Sequence, residues 1–149
     1  MKFKPIAGGC LCGNVRYELL EGAKSIEHCH CSMCRRAHGA LFASGGVFNH
    51  SAVRITQGEG NLQSYESSAG NYRQFCQTCG CHLFMTVDHI PHEIYVWVAS
   101  LDEGAHPGHP ADKEAHILIG SKASWEDLEG KIPQYENLCD SIGIGLEAK

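Results

Sequence analysis

Phe75-Cys76-Gln77-Thr78-Cys79-Gly80-Cys81 is the stretch on which the fold turns. The two-residue gap lets a tight turn aim Cys76 and Cys79 at one metal ion. Gly80 permits the positive φ that such a turn needs, and nearby backbone N–H groups can then donate to the sulfurs. Two sulfurs fill only half of a tetrahedron, so a second pair must come from elsewhere. Gly8-Gly9-Cys10-Leu11-Cys12-Gly13 can supply it. Residues i and i+2 of an extended segment point to the same side, so Cys10 and Cys12 can face one ion. The expectation is a structural zinc site of Cys10, Cys12, Cys76 and Cys79, joining distant parts of the chain and contributing directly to folding.

His28-Cys29-His30-Cys31-Ser32-Met33-Cys34-Arg35-Arg36 places three thiols within six residues. Three protein ligands with an open fourth position are the pattern of a catalytic zinc. Cys29, Cys31 and Cys34 are therefore the expected catalytic ligands. Arg35 and Arg36 are the candidate substrate contacts, able to offset thiolate charge or grip a carboxylate. The alternative is a second closed structural site, completed by Cys81, Cys139 or a histidine. His28 and His30 are expected to point away from the metal, because neighbours in extended chain face opposite sides. Cys81 is read as an unliganded thiol and Cys139 as an ordinary residue. His106 and His109, in a Pro/Gly-rich loop, are read as solvated.

Nine cysteines among 149 residues are many, and an odd number leaves a thiol over in any complete disulfide framework. The opening Met1-Lys2-Phe3-Lys4-Pro5-Ile6 lacks the apolar run of a signal peptide. A cytoplasmic location with reduced, metal-binding thiols is the expectation. The formal charge of −5, without a basic block, argues against a nucleic-acid partner. No apolar run approaches the roughly 18 residues of a membrane span.

Short strands are expected near residues 14–20, 40–48, 52–56, 63–66, 72–75, 82–87, 94–100 and 115–118, from their content of Val, Ile, Phe and Tyr between turn residues. Ile94-Tyr95-Val96-Trp97-Val98-Ala99 is apolar on both faces, as in a central strand. Helix is limited to Ser32–His38 and a turn at Trp125–Leu128 capped by Ser124. Residues 102–112 and the tail after Tyr135 read as loop. The fold class expected is mainly β: several short, coiled antiparallel sheets around zinc sites, in a single domain over 1–149 with its core at about 5–136.

The chain resembles the glutathione-dependent formaldehyde-activating enzyme family, which includes centromere protein V-like domains. The resemblance rests on Gly9-Cys10-Leu11-Cys12-Gly13-Asn14-Val15-Arg16-Tyr17, His28–Arg36, Gly39-Ala40, Arg73–Gly80, His82-Leu83-Phe84, His116-Ile117, Ser121–Trp125 and Pro133-Gln134-Tyr135. It implies two zinc ions per chain, divided between the cysteines as above. It also implies a carbon–sulfur lyase-type activity, the joining of formaldehyde to the thiol of glutathione, with a small-molecule thiol and aldehyde as partners. Two departures stand out: Cys81 replaces a small polar residue, and Gly130-Lys131-Ile132 replaces an acidic-leucine run. Two rival readings remain: the same chemistry on another thiol or aldehyde, and a non-catalytic zinc-stabilised module that binds a protein.

Overall fold

The computed structural model describes residues 2–137. In chain order its elements are β1 (Ile6–Gly9), β2 (Arg16–Leu19), β3 (Ser25–Cys29), α1 (Ser32–His38), β4 (Ala43–Asn49), β5 (Val53–Gln57), β6 (Leu62–Ser68), β7 (Asn71–Cys76), β8 (His82–Val87), β9 (Glu93–Trp97) and β10 (Glu114–Ile117). The mainly β expectation is met. The strands form two sheets, one of three strands in the order β1-β2-β5 and one of seven in the order β10-β3-β4-β9-β8-β7-β6. One pair departs from the antiparallel pattern: β10 runs parallel to β3.

The period-2 pattern places the core. In β2, Tyr17 and Leu19 are buried while Arg16 and Glu18 are half-buried. Tyr17 meets Phe84 of β8 edge to face at 5.1 Å, so the small sheet packs on one face of the large one. Val15, Leu19, Phe48, Leu83 and Val96 complete that layer. β9 lies between β4 and β8 and buries both faces, as its apolar run implies: Ile94 and Val96 enter this layer, Tyr95 and Trp97 the opposite one.

That opposite face positions the site. Strand register aligns Glu27, Gly45 and Trp97 in one row. The next row is Ser25, Val47, Tyr95, Met85 and Arg73. Alternation puts Cys29 on the same face as Glu27, two residues on. Helix α1 has the expected bounds and carries Cys34 into the same cluster as Val47, Met85 and Trp97. The helical turn expected at Trp125–Leu128 does not form: a non-helical turn lies at its start, with the Glu126 N–H donating to the Ala123 carbonyl. Among the described residues no helix is long and apolar enough to cross a membrane.

Candidate metal centres

Cys10, Cys12, Cys76 and Cys79 converge, with all four sulfurs within 4.8 Å of one another. Two tight turns achieve this. After β1, the Gly13 N–H donates to the Cys10 carbonyl at 3.1 Å, so the Cys10–Cys12 segment is a turn rather than extended chain. After β7, the Gly80 N–H donates to the Cys76 carbonyl at 2.7 Å, with Gly80 at φ +73°. The sulfurs receive donors of their own: the Val15 N–H reaches Cys10 Sγ at 3.2 Å and Asn61 Nδ2 reaches Cys76 Sγ at 3.1 Å.

The spacing tests the fit to a metal. Sγ of Cys12 lies 3.6 Å from that of Cys10 and 3.7 Å from that of Cys76. A tetrahedron with metal–sulfur bonds of about 2.3 Å has edges of about 3.8 Å, whereas a disulfide needs about 2.05 Å. The eight described cysteines are all free thiols. Donor chemistry and spacing fit a tetrahedral thiophilic ion.

Cys29, Cys31 and Cys34 form the second group, also within 4.8 Å. Cys29 ends β3, Cys31 caps α1 and Cys34 sits in the first turn of the helix, where its N–H donates to Cys31 Sγ at 3.3 Å. Among the described residues no fourth His, Cys, Asp or Glu joins this group. Hydrogen bonds from Cys29 and Cys34 pull the Cys31 thiol down to about 2. Cys29 is pushed up by its contacts with Cys31 and Cys34 and by burial. Negative charge so concentrated needs a cation to let all three sulfurs ionise together.

A cavity of about 240 Å³ opens over this group, lined by Cys29, Cys31, Cys34, Glu27, Arg73 and Trp97 among others. Gly45 keeps it open: a Cβ there would stand 3.0 Å from the Trp97 ring. Loop residues Leu118 and Ser121 form a further wall.

The remaining nominated residues are placed as follows. Arg35 and Arg36 line a separate surface cleft with Leu41 and Trp125, and Arg35 Nε donates to the His30 carbonyl at 3.3 Å. His28 and His30 turn away from both sulfur groups. His28 Nε2 donates to Glu114 Oε1 at 2.8 Å, while Ser44 Oγ lies 2.8 Å from its Nδ1. His30 is fully buried, its Nδ1 donating to Glu126 Oε2 at 3.0 Å and its Nε2 lying 2.8 Å from His116 Nδ1. Burial holds the His30 ring below its ordinary value, so it is neutral and Nε2 accepts from His116. Cys81 stays out of the four-sulfur group. His106 is exposed, as expected, but His109 is not: its side chain is 8% exposed, stacked on His106 and 3.3 Å from Glu114 Oε2. Cys139 lies outside the described residues.

Sequence reasoning passed over Arg73, Glu27, Asn61 and Glu126. Arg73 stands three residues before the Cys76 turn, but only strand order brings it to the other cluster. Its fork lies 3.6 and 3.8 Å from Cys34 Sγ, and its Nε donates to Ser67 Oγ at 3.0 Å.

Residues 5–121, which include all seven clustered cysteines, match the family model described as glutathione-dependent formaldehyde-activating enzyme. A protein of Colletotrichum graminicola, provisionally named as such an enzyme, is 32% identical over 135 residues, covering 89% of this chain and 60% of its own length. One of Pyrenophora teres f. teres with the same provisional name is 38% identical over 84 residues, covering 54% of this chain and 44% of its own. The chain thus matches less than two thirds of the length of these relatives. A crystal structure of a Rhodobacter sphaeroides protein superimposes with a TM-score of 0.56 at 35% identity, covering 68% of this chain and 92% of that one. On the extent of the model match, the chain belongs to the glutathione-dependent formaldehyde-activating enzyme family.

Proposed function

We propose that the chain binds two zinc ions and adds a thiol such as glutathione to formaldehyde. The observation that carries this reading is the contrast between the two sulfur groups. Four sulfurs complete one tetrahedron, whereas three line a cavity and lack a fourth donor among the described residues. Cys10, Cys12, Cys76 and Cys79 are then structural ligands; Cys29, Cys31 and Cys34 hold the catalytic ion. Zinc there, when bound, supplies a Lewis acid with a position for an incoming sulfur and favours its thiolate form.

The addition forms one S–C and one O–H bond and breaks the S–H bond of the thiol and the π bond of the aldehyde, the thiol proton ending on the new hydroxyl, so it needs no oxidant or reductant. The chain's part is to bind and orient. Trp97, Tyr95 and Met85 give the cavity an apolar wall, while Ser32, Asn71 and Ser121 offer polar groups to the rest of the ligand. Fixing both reactants in one cavity lowers the entropic part of the barrier. The family's name and the names of the relatives support the choice of thiol and aldehyde.

The test is to mix zinc-loaded protein with glutathione and ¹³C-formaldehyde and follow the hydroxymethyl adduct by NMR exchange spectroscopy. Faster exchange than in protein-free buffer, abolished by Cys34→Ser, is the expected result. An unchanged rate, with glutathione and with other thiols and aldehydes in turn, would leave a zinc-stabilised binding module as the better reading.

A further inference from the structure

The described ion pairs between side chains do not include Arg73, although only 4% of this residue is exposed. Buried charges are normally paired. Here the guanidinium lies against Cys34 Sγ, held there by the hydrogen bond from its Nε to Ser67 Oγ. The other charged residue lining the cavity, Glu27, is separated from it in the sheet by β4, β9 and β8.

We propose that Arg73 is a specificity-determining residue that makes the three-cysteine site select an anionic sulfur, rather than a neutral molecule, as its fourth ligand. This rests on the thiol-binding reading above. Three thiolates and a divalent ion carry one net negative charge, which opposes a second anion. A guanidinium beside one of the thiolates cancels that charge. A thiol can then bind as RS⁻, its proton passing to solvent, with the site reaching one net negative charge instead of two in a cavity of low polarity. At the four-sulfur group, by contrast, the described hydrogen bonds to sulfur include neutral donors from Val15 and Asn61 and none from a guanidinium.

The test is calorimetric titration of the zinc-loaded protein with two small probes, 2-mercaptoethanol, which binds as an anion, and imidazole, which binds neutral. In Arg73→Met, the thiol affinity is expected to fall by about 10- to 100-fold, the scale of a lost charge contact in a partly buried site. Imidazole affinity should stay within about twofold, because a neutral ligand adds no charge for a guanidinium to offset. Arg73→Lys should recover much of the thiol affinity. Ser67→Ala, which only frees the guanidinium, should show an intermediate loss, and it decides the matter if Arg73→Met fails to fold. Equal losses for both probes would overturn the proposal, since Arg73 would then act through cavity shape. So would unchanged thiol binding in Arg73→Met or, failing that variant, in Ser67→Ala. A loss confined to glutathione, with 2-mercaptoethanol unaffected, would also overturn it, by assigning Arg73 to a carboxylate of the ligand. Wild-type protein that binds imidazole but no thiol would instead defeat the thiol-binding reading itself, and this role with it.

Discussion

Glu126 reaches across 96 residues of chain to hold the ring of His30, which sits between Cys29 and Cys31. The pair fixes the backbone that carries two sulfurs, and it ties the 118–126 segment down beside the cavity. Glu126→Ala strands a fully buried donor at His30 Nδ1 and is expected to cost about 2 kcal/mol. Glu126→Gln, whose amide oxygen still accepts, should cost less. Chemical denaturation of the zinc-loaded proteins checks both, and equal stability of Glu126→Ala and wild type would contradict this role. His38 makes a pH prediction. Burial, with smaller contributions from His82 and Arg73, holds its ring down at about 4, against an ordinary 6.5. The folded state therefore binds this proton more weakly than the unfolded chain does. Its share of stability is whole above about pH 6.5 and is lost as pH falls toward 4. His38→Phe, which keeps a ring against Trp97, should flatten the fall in melting temperature over that interval. Parallel curves for variant and wild type would show that His38 does not contribute.

At the scale of elements, β7 joins the two candidate centres. It ends at Cys76 in the four-sulfur group and presents Arg73 to the three-sulfur group. The turn that follows depends on Gly80 at φ +73°, where an added Cβ would meet nothing within 4 Å. Gly80→Ala should thus carry only backbone strain, about 1–2 kcal/mol, read as a modest fall in melting temperature with zinc retained. A loss of zinc from this variant would mean that the turn tolerates no adjustment. The strands most legible in the sequence were those with clear chemistry of packing: β8 has the expected bounds, and β2, β7 and β9 lie within a few residues of theirs. β1 and β3 were missed. Ile6–Gly9 has two glycines and little side chain to show a period. Ser25–Cys29 buries Ser25, Ile26 and Glu27 in succession, so polar residues hide a strand that is covered on both faces. The parallel pairing of β10 with β3 leaves no local signature, because it is set by contacts 88 residues apart (Ile26 with Glu114). The cysteine groupings were legible because ligand number and spacing are local demands of a metal. The cavity over the second group was not, since it is assembled from seven strands' worth of register, and Arg73 and Glu27 belong to it only through that register.

For the whole molecule, the four-sulfur group links the turn after β1 to the turn after β7, with Cys12 and Cys76 64 residues apart. It stands where the small sheet meets the large one: Cys10 and Cys76 belong to the same core cluster as Tyr17, Phe48 and Phe84. On the two-zinc reading, removing the metal held there should loosen the packing of one sheet on the other, because the free energy of metal binding would be in part free energy of folding. The three-sulfur group sits on the opposite face, beside Val47, Met85 and Trp97, and its loss should leave the sheets together. Cys79→Ser is therefore expected to unfold at far lower temperature than Cys34→Ser. The count of zinc ions per chain, by native mass spectrometry of freshly reduced protein, tests this division most directly. Two ions in the wild type and one in a folded Cys34→Ser variant are the predicted result. A single ion or none in the wild type, or two retained by Cys34→Ser, would contradict it.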